Sequence, residues 1–483
     1  MFSKKQKEVL SIFLILFGLI LLYAIVDYLP FLSTANKVIL GLVAMIAIGL
    51  AVSHMNSFEG FYGIYLLGSR VGIKTIDSIS KRHRNFWTAM ATWGLVLSFG
   101  LLVVQVTKTK ISKKMMLFGM FSIFAIFFLV EYFGIFGLSF ISILKIPSST
   151  SPSFALTAYS MVYVSAMLAS IFVFGFSGLI IFLLLLNASS IISSISILAY
   201  SSVIGKPNMQ PLQSQIAGVA PVLPGITIPL AAGIISLAIL LVIHEASHGI
   251  LSRIYGVKLK RTGLVLFGSI PVGAFVEPAE EQIKKLKKAE QTKIYSAGVS
   301  MNFIATVFFL ILLVPFIYLV LPHLYSTSLI IAGTMKNYPA YGVIPNGSVI
   351  EAWNNIHVSN LSSLEEADKN VHPGMILNIT ANNKTYQIKT IASPYNSSKG
   401  EAGVYISERE SVRKGYGLLN FFYSVVALSF LLNFFVAVSN LLPIPGFDGW
   451  QIYHTNIKHK SIPKILGIIV VCALLINIIP LFV

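Results

Sequence analysis

Apolar positions gather into long runs separated by short polar stretches. The runs at 9–26, 38–53, 89–106, 115–144, 155–186, 226–250, 294–321, 417–440 and 463–483 each approach the length needed to cross the ~30 Å hydrocarbon core of a bilayer as a helix. About nine transmembrane helices are therefore predicted. The stretch Ser189–Ile204, rich in Ser and Ile, is open between a short further crossing, a re-entrant segment and a strand, because periodicity does not separate them. After the run at 294–321 the pattern changes. Short β-type runs (YGVIP, SVIEAW, MILNIT, YQIKTI) alternate with the turns PNGS, HPG and ANN, and one helix is expected around Leu361–Asn370. The fold class predicted is an all-α polytopic membrane protein with a small α+β insert. Its parts are N-terminal transmembrane helices over 1–205, whose role the residues do not disclose, a helical region over 206–327, the insert over 328–413 and a final helical region over 414–483.

Composition agrees with that pattern: of 483 residues, 55% are hydrophobic and only 11% charged. The net charge of +17 does not point to nucleic acid, because the basic residues sit in short loops between apolar runs, as expected where Lys and Arg stay on the cytoplasmic side. Lys258, Lys260, Arg261, Lys284, Lys285, Lys287 and Lys288 place the segment after the sixth run on that side. The insert then falls in the opposite, extracytoplasmic compartment. Its five Asn-x-Ser/Thr sequons, at Asn346, Asn360, Asn378, Asn383 and Asn396, fit glycosylation there, or equally follow from an Asn- and Ser-rich composition. In the first half, basic stretches flank the third run on both sides, Arg70 to Arg84 and Lys108 to Lys114, so its orientation stays open. Glu131 within the fourth run suits an interhelical hydrogen bond or an interfacial position better than a polar path. The first run, after MFSKKQKE, has no small-residue cleavage site and reads as a retained helix. Cys472 is the only cysteine, which excludes an intrachain disulfide and a cysteine-based metal site.

The chemistry concentrates in LVIHEASHGIL, Leu241–Leu251. Helical positions i and i+4 lie about 6 Å apart along the axis and ~40° apart around it, so His244 and His248 can face one metal ion, with Glu245 beside them. This H-E-x-x-H pattern uses two imidazoles to hold Zn2+ and the carboxylate to take a proton from water. Ionisable residues inside a span are costly, about 2.5 to 3.5 kcal/mol for an Asp at the helix centre, which favours a functional reading over chance. A catalytic zinc site takes three protein ligands. The candidate for the third is Asp448 in SNLLPIPGFDGW, Ser439–Trp450, where Pro443, Pro445 and Gly446 break the helix. An ordinary Asp-Gly turn at the membrane surface accounts for it equally well, and His454 and Glu277 are weaker competitors.

HEASHG in one span with NLLPIPGFDG in a later one resembles the site-2 protease family of intramembrane zinc metalloproteases. SAGVSMN, Ser296–Asn302, resembles the small-residue and Asn segment of that family, and the insert resembles a PDZ domain. PVLPGITIPL and IPVGAFVEP look closest to the branch holding eukaryotic and archaeal members. The resemblance covers about 210–483, the two halves of a metalloprotease core over 206–327 and 414–483 with the PDZ-like insert between. It departs from the pattern at Phe447 and Trp450.

The resemblance implies one Zn2+ per chain held by His244, His248 and Asp448, with Glu245 as general base. It further implies substrate contacts at Asn440 and Asn302, where an interhelical hydrogen bond is the alternative for each. The expected partners are a transmembrane protein substrate, cut within or beside its membrane helix close to the cytoplasmic face, and an upstream protease that trims the substrate before the insert admits it. No nucleic acid partner is expected. The alternative from another class is a metal or proton transporter using the same His/Glu cluster, which would not need Asp448. A third, an inactive scaffold, is opposed by the intact ligands and base.

Overall fold

The computed structural model describes residues 4–27, 29, 34–132, 153–219, 222–225 and 227–482. The chain divides into a larger unit, Met1–Ile311 with Val425–Val483, and a smaller one, Leu312–Ser424.

The larger unit begins with α1 (Lys4–Asp27), α2 (Thr34–Asn56), a short α3 (Ile73–Arg82) and α4 (Arg84–Phe99). A 3-10 turn at Gly100–Leu102 leads into α5 (Val103–Thr107), followed by α6 (Lys113–Tyr132). The rest of the fourth apolar run and the side chain of Glu131 lie outside the described residues. Next comes α7 (Ser153–Val203), 51 residues interrupted only by Gly175 at φ 66°, ψ −163°. Ser189–Ile204, left open by periodicity, is helical through Val203. Its hydroxyls are satisfied within the helix: Ser194 donates to the Ser190 carbonyl at 3.2 Å, and Ser196 and Ser202 to those of Ile192 and Leu198 at 2.8 Å. A Ser-rich segment satisfied on its own preceding turn remains compatible with an apolar surround.

After α7 come α8 (Leu230–Ile254), α9 (Lys288–Tyr295) and α10 (Ala297–Pro315). The all-α expectation for this part of the chain is corrected by a four-stranded antiparallel sheet in the order β1 (Gly60–Phe61), β2 (Ile64–Ser69), β3 (Leu259–Phe267), β4 (Ile270–Pro278). Two tight turns make it. Tyr62 and Gly63 (φ 46° and 84°) join β1 to β2, and Gly268 (φ 57°) with Ser269 joins β3 to β4. Positive φ in a two-residue loop matches the twist of antiparallel strands. Of the basic residues that mark this segment as a cytoplasmic loop, Lys260 and Arg261 lie on β3 itself.

The smaller unit holds β5 (Tyr325–Thr334), β6 (Val349–Trp353), β7 (Ile376–Ala381), β8 (Lys384–Lys389) and β9 (Val404–Val412) in the order β9-β5-β6-β7-β8, with the two-residue strand Ile356–His357 on β6. Helix α11 (Leu361–Asp368) starts where Asn360 Oδ1 accepts from Ser363 N at 2.8 Å. Leu329, Ile331, Ile350, Trp353, Leu377 and Ile379 form the core. SVIEAW, MILNIT and YQIKTI become β6, β7 and β8, whereas YGVIP forms turns, with Gly342 at φ 72°.

The larger unit resumes in α12 (Gly417–Ser439) and closes with α13 (Asp448–Asn456) and α14 (Ser461–Ile478). Among the described residues, seven helices are long and apolar enough to cross a membrane: Ile39–Asn56, Arg84–Thr107, Ser165–Val203, Leu230–Ile254, Ala297–Leu324, Gly417–Ser439 and Ser461–Phe482. Of the about nine expected, the other two runs fall in α1, whose apolar part is limited to Val9–Ile25, and in α6, which is described only to Tyr132. Close backbone approach fixes the crossing of α4 with α10, where a Cβ at Gly94 would stand 1.8 Å from Ser300 Oγ and 2.7 Å from Ser300 Cα. Gly94→Ala is expected to force this crossing apart, costing about 1–3 kcal/mol as overpacking does. A lower thermal unfolding midpoint of the purified protein in detergent checks this.

Candidate metal centre

Helical geometry brings His244 and His248 of α8 onto one face, with ring centroids 4.9 Å apart and Nε2 atoms 3.3 Å apart. Asp448, the first residue of α13, faces both: Oδ2 lies 3.3 Å from His244 Nε2 and Oδ1 3.3 Å from His248 Nε2. The three offer ligand atoms that all lie within 4.8 Å of one another. A tetrahedral ion with bonds of about 2.0–2.1 Å holds its ligand atoms about 3.3 Å apart, so the spacing is that of an ion's coordination sphere.

The surround fits a metal in two further ways. A Cβ built at Gly298 of α10 would stand 2.5 Å from His244 Nε2 and 2.5 Å from His248 Nε2, so glycine leaves open the space that both rings face. The outer ring nitrogens are also provided for. His248 Nδ1–H donates to the Ile294 carbonyl at 2.8 Å, which leaves Nε2 as the lone-pair side. His244 Nδ1 lies 3.0 Å from Asn302 Nδ2, while Asn302 Oδ1 is buried without a partner. Turning the Asn302 amide by 180° puts Oδ1 opposite an Nδ1–H and satisfies both groups, again freeing Nε2 for the centre.

Glu245 is half-buried, and its Oε2 accepts from Val276 N of β4 at 3.2 Å. That bond joins the centre to the sheet. Beside it opens a cavity of about 820 Å³ whose lining includes Phe275, Val276, Glu277, Tyr295 and Gln451. Glu277 is not a member of the metal cluster. It pairs with Arg261 at 2.6 Å and Lys260 at 3.2 Å, and the Arg261 hydrogen bond, opposed by desolvation and aided by Lys260, holds its carboxyl below the usual range. This pairing therefore contributes fully above the ordinary glutamate pKa and is lost only as pH falls through the depressed one. His454 also stays outside the cluster, stacked on Trp450 at 5.5 Å.

Asp448 owes its place to the loop before it. The Asn440 carbonyl accepts from Gly449 N at 2.6 Å, and Gly449 has no room for a Cβ, which would lie 2.2 Å from the Leu441 carbonyl oxygen. Asn440 thus acts here through its main chain, and Asn302 through His244. Gly298 and Val276 escaped the sequence reading. Gly298 lies within SAGVSMN, but only its neighbours in space show what the missing side chain leaves open.

Comparison with known proteins bears on the same residues. The sequence pattern of peptidase family M50 matches residues 232–481. The chain belongs to peptidase family M50, the site-2 protease family. It is also similar to an uncharacterized protein of Methanocaldococcus jannaschii, 28% identical over 232 residues, which are 48% of this chain and 58% of that protein. The chain thus spans about 58% of that relative's length. M50 membership does not favour the transport reading. The M50 match takes in His244, Glu245, His248, Gly298, Asn302 and Asp448 and leaves out α1–α7.

In this M50 chain Gly298→Ala places a better helix former at its position and fills the space between the imidazoles. Loss of about ten- to a hundredfold in metal affinity is expected, as measured by competition with a chelator on protein that still unfolds cooperatively.

Proposed function

We propose that the protein is an intramembrane zinc metalloprotease, hydrolysing a peptide bond within or beside a transmembrane segment of a membrane-protein substrate. The observation that carries this reading is the meeting of His244, His248 and Asp448 around the space left by Gly298, on a helix long and apolar enough to cross a membrane. Zinc bound by these three residues would polarise the scissile carbonyl and activate water for attack.

The residues of the chain supply the rest. Glu245, with Oε2 held by Val276 N–H, presents Oε1 to accept the proton of the attacking water and returns it to the leaving amine nitrogen. Asn302 and the Ile294 carbonyl fix the orientation of the two imidazoles. A substrate helix satisfies its own backbone groups, so it must unwind before its carbonyl reaches this centre. Strand β4, at the edge of its sheet, and the Asn440–Phe447 loop are the neighbouring segments on which an extended chain could pair, with the Asn440 side chain as a polar anchor.

The basic residues that follow α8 support a centre near the cytoplasmic face, and the sequons of the smaller unit support an extracytoplasmic insert. The sheet of that unit with α11 supports a PDZ-like reading, in which it admits substrates already trimmed by an upstream protease as part of regulated intramembrane proteolysis.

The test is cleavage of single-span model substrates by purified protein in detergent. Native protein cuts within the apolar segment, and a zinc chelator stops it. Glu245→Gln keeps its zinc and lowers the rate by about a hundredfold to ten-thousandfold, the usual range for loss of a general base. Undiminished cleavage by Glu245→Gln, or cleavage indifferent to the chelator, overturns the proposal.

A further inference from the structure

We propose that the N-terminal helices, which lie outside the M50 match, position the Asp448 carboxylate through a buried hydrogen bond between Ser177 and Tyr453; the inference rests on the zinc reading above. Helix α7 is broken at Gly175, which lies flat against the end of α4. A Cβ there would meet Leu97 O, Ser98 C and Phe99 N, each at 2.5 Å. The two residues that follow the break enter the metallopeptidase core. Phe176 is fully buried, its ring 5.1 Å from Phe303 of α10 and 5.8 Å from Phe434 of α12. Ser177, 1% exposed, lies 2.6 Å from the Tyr453 hydroxyl and 3.5 Å from the Leu441 carbonyl.

These two contacts hold both sides of the loop that delivers Asp448. Leu441 O is the atom against which Gly449 packs without a side chain, and Tyr453 belongs to α13, the helix that Asp448 begins. With one proton on each hydroxyl, Tyr453 donates to Ser177 Oγ and Ser177 donates to Leu441 O. Tyr453 comes five residues after Asp448, about 7.5 Å along the axis and roughly 140° around it, so the bond holds α13 from the side away from the histidines. Phe99 of α4 closes the contact, edge-on to Tyr453 at 5.5 Å and 90°. Ligand distances in a metal site are held to about ±0.2 Å, so a small shift of α13 is felt at the carboxylate. Ser177 and Tyr453 are positioning residues, acting on the metal through Asp448.

The experiment uses the full-length chain in detergent, comparing native protein, Tyr453→Phe, Ser177→Ala and the double variant. Zinc affinity is read by chelator competition and ligand geometry by the visible absorption of Co2+ loaded in place of zinc. Tyr453→Phe removes one oxygen and keeps the ring on Phe99, so it decides alone should Ser177→Ala fail to fold. Each single variant is expected to weaken zinc binding about tenfold, at the lower end for a residue supporting a ligand, and to shift the Co2+ bands. The double variant should lose no more than the worse single one, because both remove the same bond. Native zinc affinity and native Co2+ bands in Tyr453→Phe, even with a lowered unfolding temperature, overturn the proposal and make the bond packing alone. If native protein itself binds no zinc, the reading of the centre fails and takes this inference with it.

Discussion

Two imidazoles and a carboxylate stand together inside a bundle whose other surfaces suit lipid, and each needs the others to be there. An aspartate at the middle of an apolar helix costs about 2.5–3.5 kcal/mol on insertion scales. Asp448 escapes that situation by starting a short helix that is not itself a span and by facing two ring nitrogens 3.3 Å away. The nitrogens in turn need acceptors behind them, and these come from α9 through Ile294 and from α10 through Asn302. The polar centre therefore ties α8, α9, α10 and α13 into one arrangement, in which movement of any one strands a buried polar group.

Where ligands come from different helices, backbones must come close, and missing side chains permit it. Gly298 clears the centre, Gly449 lets the loop lie on Leu441, and Gly94 lets α4 lie on Ser300 behind it. None of these glycines contacts a substrate in the reading offered here, yet each constrains where a ligand or a base can stand.

His244, Glu245 and His248 were legible because their chemistry is local: a spacing of four on a helix needs no knowledge of the rest of the fold. Asp448 was only half legible, since an Asp-Gly pair after two prolines describes a turn as well as a ligand; it ranked above His454 and Glu277 from its place in a broken helix, and the resemblance to site-2 proteases favoured it over the turn. The helices followed from apolar length. The sheet of β1–β4 did not, although Gly268-Ser269 between two β-type runs is a hairpin signal, because the charges of Lys258, Lys260 and Arg261 argued for a loop. Within the insert, alternation found β6, β7 and β8 and mistook YGVIP, whose Gly342 turns the chain. The joining of Ser177 to Tyr453 spans 276 positions and has no sequence signature.

The length of α7 carries a consequence of a different kind. Beyond the Gly175 break, the stretch 176–203 rises about 42 Å at 1.5 Å per residue, some 10 Å more than the hydrocarbon core of an average bilayer. Such hydrophobic mismatch is relieved by tilt, by local thickening of the lipid, or by letting the serine-rich end stand in the headgroup region. The helix stays packed past Ser177, where Leu184 and Ala188 share a buried cluster with Val470 and Ala473 of α14 and Asn477 Nδ2 donates to the Leu184 carbonyl, so the excess length falls on the serine-rich end beyond these contacts.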